Sequence, residues 1–376
     1  MATTSWAAAI KKAGTWGTSV AVGALDGLKI ESEGLPEGIP EVIADDNIGD
    51  ILSGGTLQGN VGIEGTIVAP MRYEGPTSEL LMALLMGQSN DNVGPGNTAP
   101  EELDVLGSYR HYMMFQANSD GLFATLMVDK DVGANAQYNY PTVKVSQAEL
   151  AHSNGKLMGT FTLIAHSLIR DRGTGDAEMA AVTHVTDGLL GIFNQVNLRL
   201  KEITGSEDNL AGGDEILVTD AKITINRNIS GEFESGSNAG YVGEPDINGF
   251  PEAMMEFTVQ DYKESTTVAA IVTDAQTIQT GRAPKVYKAE LYWNGITIPS
   301  TSDLYEMRFQ LPALIVQSAP TSGGAPGSKV PVTVTMKVQT PQAATLPHGT
   351  EWADFTAGTD PFRYWVQNSR NVSLLA

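Results

Sequence analysis

Five histidines, His111, His152, His166, His184 and His348, are the side chains whose ordinary pKa suits them to shuttle protons or hold a metal at neutral pH. They are scattered, with no H-E-x-x-H spacing and no close pair, so each reads as structural. Gly59-x-x-Gly62-x-x-Gly65 looks like a phosphate-cradling loop but lacks the G-x-G step, and it runs into an alternating strand rather than a helix. Gly155-Lys156 has no glycine five residues ahead of it, which rules out a Walker motif. Asp45-Asp46-Asn47 with Asp50 offers oxygen ligands, yet the spacing fits no EF-hand loop and lacks the terminal bidentate glutamate. No spacing among the 44 acidic residues singles out a general acid and base. The expectation is a protein that is not an enzyme and holds no cofactor or metal.

The elements that would position any site are strands. Gly (40 residues) and Pro (18) are abundant and charged residues make up only 18% of the 376, a composition that suits many strands joined by tight turns. A chain of this length accommodates two domains and can bury roughly 75% of its extended surface. With no cysteine, disulfides and thiolate chemistry are excluded. The balance of 23 basic against 44 acidic residues gives a formal charge of −21, the wrong sign for binding nucleic acid by neutralising phosphates; solubility alone would also explain it. The opening Met1-Ala2-Thr3-Thr4-Ser5-Trp6 has no basic region followed by an apolar stretch, and no run approaches the roughly 20 apolar residues that span a bilayer. Neither a signal peptide nor a membrane anchor is expected.

One order of elements occurs twice: strand, long loop, strand, helix, hairpin, final strand pair. In the first copy Leu28-Lys29-Ile30 leads to a strand alternating Val61, Ile63, Ile67, Met71 and Tyr73, then to the helix-like run from Ser78 to Leu85. In the second, Ala221-Lys222-Ile223 leads to Met255, Phe257 and Val259, then Tyr262 and the apolar run from Val268 to Val272. Asn118-Ser119-Asp120-Gly121 and Asn294-Gly295 read as hairpin turns. Leu157, Phe161 and Leu163 close the first copy as Val330, Val332, Val334, Met336 and Val338 close the second. The numbering offset is 193 from Ile30 to Ile223, 189 from Tyr73 to Tyr262 and 173 from Ala165 to Val338, a drift that loop insertions produce. A rival register, Met158-x-x-Phe161-Thr162-Leu163 on Met254-x-x-Phe257-Thr258-Val259, stays open.

Between the copies, Met179, Val182, Val185, Leu189, Ile192 and Phe193 have near-helical spacing, and Val196, Leu198 and Leu200 alternate like a strand. The domain boundary falls near Gly173, giving 1–173, 174–340 with a connecting helix, and a tail, 341–376. Residues 34–60 form a loop too long and apolar to be idle, with Ile39, Val42 and Ile51 among the acids Asp45, Asp46 and Asp50. The tail gathers Trp352, Phe355, Phe362, Tyr364 and Trp365, which need a surface to bury against, either their own domain or a neighbouring molecule.

Lys12-Ala13-Gly14-Thr15-Trp16-Gly17-Thr18, the strand from Gly62-Ile63-Glu64-Gly65 to Tyr73-Glu74-Gly75, and Leu80-Leu81-Met82-Ala83-Leu84-Leu85-Met86-Gly87 resemble the tail tube proteins of long-tailed bacteriophages. Asp220-Ala221-Lys222-Ile223-Thr224-Ile225-Asn226 and Leu311-Pro312 resemble the same family in the second half. The resemblance implies a mainly β protein made of two tandem, related β-sandwich domains, each with one flanking helix. It implies self-assembly into stacked rings that form a conduit for genomic DNA in the virion tail, built in the host cytoplasm alongside other tail proteins. A doubled domain then predicts rings of three chains with pseudo-sixfold symmetry, with six chains as the alternative. Glu64 and Glu256, opposite the apolar stripes of their strands, are candidates to face the lumen, or they point outward. The loop 34–60 is the candidate ring-stacking element, and the tail aromatics are candidate inter-subunit straps. The competing readings are a decoration or surface-layer protein and a secreted carbohydrate-binding β protein.

Overall fold

The computed structural model describes residues 7–35, 63–87, 100–130, 137–170, 179–184, 189–204, 209–234, 240–278, 284–321, 329–343, 346–347 and 352–372, and the backbone of 42–44 and 56–58. The first half contains β1 (Ala7–Ala13), β2 (Gly27–Leu28), β3 (Ser32–Glu33), the pair β4 (Val42–Ala44) and β5 (Thr56–Gln58), and β6 (Ile63–Pro70). A π-type turn, Thr77–Leu81, then runs into helix α1 (Met82–Met86). After it come β7 (Glu101–Asp104), β8 (Ser108–Met114), β9 (Phe123–Asp129), β10 (Gln137–Ser153), β11 (Lys156–Ala165) and β12 (Ile169–Arg170). The second half has β13 (Val196–Glu202), β14 (Glu215–Ile216), β15 (Asp220–Asn226), the pair β16 (Ile229–Ser230) and β17 (Asp246–Ile247), β18 (Glu252–Val259) and helix α2 (Thr266–Ile278). It ends with β19 (Val286–Thr297), β20 (Leu304–Ser318), β21 (Val332–Val338) and β22 (Arg363–Asn368).

Period-two alternation builds these strands. In β21, Val332, Val334, Met336 and Val338 are buried while Thr333, Thr335 and Lys337 on the other face stay half-buried. Each fully buried apolar side chain of this size contributes about 1.5–3 kcal/mol. α1 is apolar all round and accordingly buried all round. It stops at Gly87, whose φ of 71° is left-handed and where an added Cβ would sit 2.7 Å from the Gln116 carbonyl oxygen.

Strand pairing is antiparallel and runs in one order in both halves. The first reads β2–β1–β9–β10–β11–β6–β3 and the second β14–β13–β19–β20–β21–β18–β15. The long strands β10 and β20 each break register, between Val145 and Gln147 and between Val316 and Ser318, at bulges where a strand bends and passes from one sheet layer to another. Matching the ladders sets Ile67 with Phe257, Leu163 with Met336 and Glu33 with Ala221, because each faces the equivalent partner. The Ile30–Ile223 match is thereby corrected: the position equivalent to Ile223 is Leu35. The rival register of β11 on β18 is also set aside, since β11 answers to β21.

Two connections join the halves. Residues Gln147 to Leu150 of β10 pair with Asn226 to Ile223 of β15, so one sheet runs β3–β6–β11–β10–β15–β18–β21–β20. In the other sheet β22 lies between β20 of the second half and β8 of the first. The main buried core extends from Ala8 to Val366, and three smaller clusters lie beside it among the described residues.

Three local expectations are corrected. Asn118 to Gly121 does turn, with the Leu122 amide donating to the Ser119 carbonyl at 3.1 Å, but β8 and β9 do not pair with each other; the chain crosses between sheets there. Asn294-Gly295 lies inside β19 at a register break, and the turn comes later, where the Ile298 amide donates to the Asp303 carbonyl at 2.8 Å. Gly295 is required instead by close approach, because a Cβ there would meet the Tyr73 ring at 2.7 Å. Of the connecting helix, among the described residues, a single turn at residues 179–181 is α-helical, while Leu190 and Ile192 pair as extended bridges.

Candidate functional site

The eight-stranded sheet turns one face to the core and leaves the other open. One row of directly opposed residues crosses both halves: Ser32, Val68, Thr160, Glu149, Thr224, Met254, Lys337 and Ile315. Beside it lie Thr66, Thr162, Gln147, Asn226 and Glu252, then Lys222, Glu256 and Thr335. Threonine hydroxyls dominate this face because β-branched residues favour pleated strands while their hydroxyls stay solvated. Glu64 is exposed on it, and Glu256 is half-exposed, 3.5 Å from Lys222 Nζ. Lys222 is shared with Glu149 at 3.7 Å, and Lys337 is held by Glu252 at 2.5 Å. Four glutamates against two lysines, both lysines engaged, leave an acidic excess among the described residues of these rows.

The two halves are keyed together by Arg227. It continues the core-facing register of Ala221, Ile223 and Ile225, and a cation at that register position was the one signal in the sequence. Its guanidinium donates to the carbonyls of Leu85 (2.6 Å), Gln116 (3.0 Å) and Ala117 (2.7 Å) and lies 5.2 Å from the Phe115 ring centre. Burial lowers its pKa to about 10, so it stays charged at neutral pH beside the electronegative end of α1. Lys144 Nζ donates to Glu244 Oε1 and the Pro245 carbonyl, both at 2.9 Å. The Trp16 indole donates to the Val242 carbonyl at 2.9 Å, and His166 stacks on Tyr241 with ring centres 5.0 Å apart. Trp293 Nε1 donates to His152 Nε2 at 3.0 Å, which requires a neutral imidazole; burial lowers the pKa of His152, against a smaller opposing pull from Asp220.

The tail aromatics find the first of the two surfaces considered for them, their own chain: Trp352, Phe355, Phe362, Tyr364 and Trp365 are each at most 5% exposed. Phe362 stacks on Phe115 with centres 4.8 Å apart, Tyr364 packs on Phe309, and Trp352 with Phe355 covers Leu210. Arg308 and Arg363 lie over the Trp365 ring at 5.1 and 5.3 Å. Of the candidate stacking loop, Val42 is in β4, and Ile39, Asp45, Asp46, Asp50 and Ile51 lie outside the described residues. The described histidines are spread over separate contacts: His111 with Asn368 at 3.1 Å, His184 with the Ala8 carbonyl at 3.2 Å, and His152 and His166 as above. Among the described residues no three histidine or acidic side chains gather as metal ligands, and no helix is long and apolar enough to cross a membrane.

A family model described as phage tail tube protein matches residues 7–336. No curated protein matches the chain. A solved structure titled "Crystal structure of Hcp protein" aligns with 38% of this chain and 86% of that one at 12% identity, with a TM-score of 0.22, too slight a superposition to add weight. With the family match spanning most of a mainly antiparallel β chain, this protein belongs to the phage tail tube family.

Proposed function

We propose that three chains close into a ring, that rings stack into the tail tube, and that the open face of the eight-stranded sheet lines the channel through which DNA passes. The reading treats 1–173 and 174–340 as two copies of one tube domain. The observation that carries it is the β10–β15 ladder, which joins two halves of identical pairing order edge to edge. Residues 318–321 are the counterpart of 147–150. They have β21 on one side and, among the described residues, no strand on the other. The same step repeated between chains sets them against Leu35 and the residues after it in the next chain, and closure leaves no free edge.

Eight strands per chain make 24 in a three-chain ring, about 115 Å around at ~4.8 Å per strand, or roughly 37 Å across at the backbone. Six chains would double that width, which favours three. Glu64 and Glu256 then face the lumen, where their charge repels phosphates and lets DNA slide. The loop 34–60 is kept for contacts between chains, because residues 227–251, in the matching place, pack against the adjoining half. Electron micrographs of the purified protein should show hollow tubes whose reconstruction holds three chains per ring with near-sixfold density. A ring of six chains, or two halves that fail to superpose, sinks the proposal. Replacing Glu64 and Glu256 with lysine should make assembled tubes retain DNA at low salt and release it at high salt; equal retention by the unaltered tubes argues against the lumen assignment.

A further inference from the structure

In the first half, residues 189–193, just ahead of β13, fill a lane between the end of β6 and the β10–β11 turn. The Tyr73 amide donates to the Leu189 carbonyl at 2.9 Å and the Gly191 amide to the Met71 carbonyl at 3.0 Å. On the other side the Leu157 amide donates to the Gly191 carbonyl at 2.8 Å and the Phe193 amide to the Gly155 carbonyl at 2.9 Å. Ile192 bridges Lys156 directly. Under this cover Met71, Tyr73 and Leu157 are at most 1% exposed.

The second half has a comparable lane beside Val330, although its other margin passes into a 3-10 turn at Tyr262–Glu264. Its marker is the Tyr262 amide donating to the Val330 carbonyl at 3.3 Å, one residue beyond the match of Met71, whose amide donates to the Leu157 carbonyl at 2.9 Å. Here Tyr262 and Val330 are only half-buried, and Lys263 and Lys329 are exposed. Gln260 and Asp261 at its margin continue into a groove of about 400 Å³ rimmed by Leu217, which is 84% exposed.

The ladders identify what belongs there. Ile10 faces Leu126 as Leu200 faces Ala289, and Leu126 faces Tyr140 as Ala289 faces Leu311. The residues preceding β1 are therefore the counterparts of those preceding β13, with Ala2 in the place of Ile192 and Lys329 in the place of Lys156. In the first half the covering segment is the one that leads into the next copy. We propose that residues 1–6 of a neighbouring chain cover the second half's lane by strand addition, Ala2 opposite Lys329, so that each chain entering the ring is tied to the copy before it. The proposal rests on the three-chain ring reading, and it adds a contact that the edge-to-edge ladder does not supply.

The chain contains no cysteine, so the variant A2C/K329C reports through a single possible disulfide. Opposed residues in such a bridge have Cα atoms ~4.5–5.5 Å apart, within disulfide range. Oxidised tubes run on a non-reducing denaturing gel should give covalent dimers and trimers, in a ladder that stops at three chains. An internally bridged monomer, a ladder that climbs without limit, or well-formed tubes without cross-links would each overturn the docking and leave the ring reading intact. A ladder that stops at six keeps the docking and refutes the three-chain count. Should the double variant fail to assemble, deletion of residues 1–6 decides: about a tenfold loss of assembled protein supports the docking, and wild-type yield overturns it. Wild-type protein that forms no tubes defeats the ring reading itself.

Discussion

The two halves share a pairing order but differ in enclosure. α1 is buried on every side, whereas α2 buries Val268, Ile271 and Val272 and leaves Thr266 and Thr273 exposed. Met71, Tyr73 and Leu157 are covered where Tyr262 and Val330 are not. The first half already has its neighbour, covalently supplied as the second half; among the described residues the matching surfaces of the second half are more open. In the proposed ring, surfaces that differ in burial between halves of like topology are the places where a neighbouring chain would dock.

The helices give the sharpest way to break this comparison. Leu84→Asp puts an unpaired charge into a fully buried position and should leave no folded protein, while Thr273→Asp should shift stability by no more than about 0.5 kcal/mol. Soluble yield and thermal melting read both, and similar losses would erase the contrast.

Next in size is Arg227→Ala, which strands three carbonyls at the junction and should cost about 3–5 kcal/mol in chemical denaturation. Lysine in its place should recover only part, as it lacks the guanidinium fork. Gly295→Ala should cost about 1–3 kcal/mol because its Cβ meets Tyr73, against almost nothing for Gly212→Ala, where the Cβ meets open space.

The smallest effect is pH-dependent. His152 has a lowered pKa in the folded chain, so below its unfolded value near 6.5 the unfolded state binds the extra proton and stability falls with pH. His152→Gln should flatten that slope between pH 7 and 5 in thermal melts; an unchanged slope would assign it to other groups.

Alternation made the strands legible: Ile63–Pro70, Glu252–Val259 and Val332–Val338 follow from period two alone. The turn at Asn294-Gly295 misled because glycine serves two ends, and here Tyr73, more than 200 residues away in sequence, demands it. Leu189, Ile192 and Phe193 carry a helical period by coincidence; the backbone groups of Leu189, Gly191 and Phe193 are claimed by Tyr73, Met71 and Gly155 across a long loop. Long-range pairing also decided the fate of the tail, since nothing local in Arg363–Asn368 says that its edges match β20 and β8. Of the site, Glu64 and Glu256 were legible as a parity argument, while Lys222 and Lys337, which temper them, depended on register.

β22 is made after every strand it must join, and its Asn368 side chain meets His111 across 257 residues of sequence. A partly synthesised chain therefore has β8 and β20 without the strand that belongs between them. Contacts of such long sequence separation form slowly. The fold consequently matures only after the ribosome has delivered its C-terminal region, so an incomplete chain would lack the finished surfaces that the proposed ring requires.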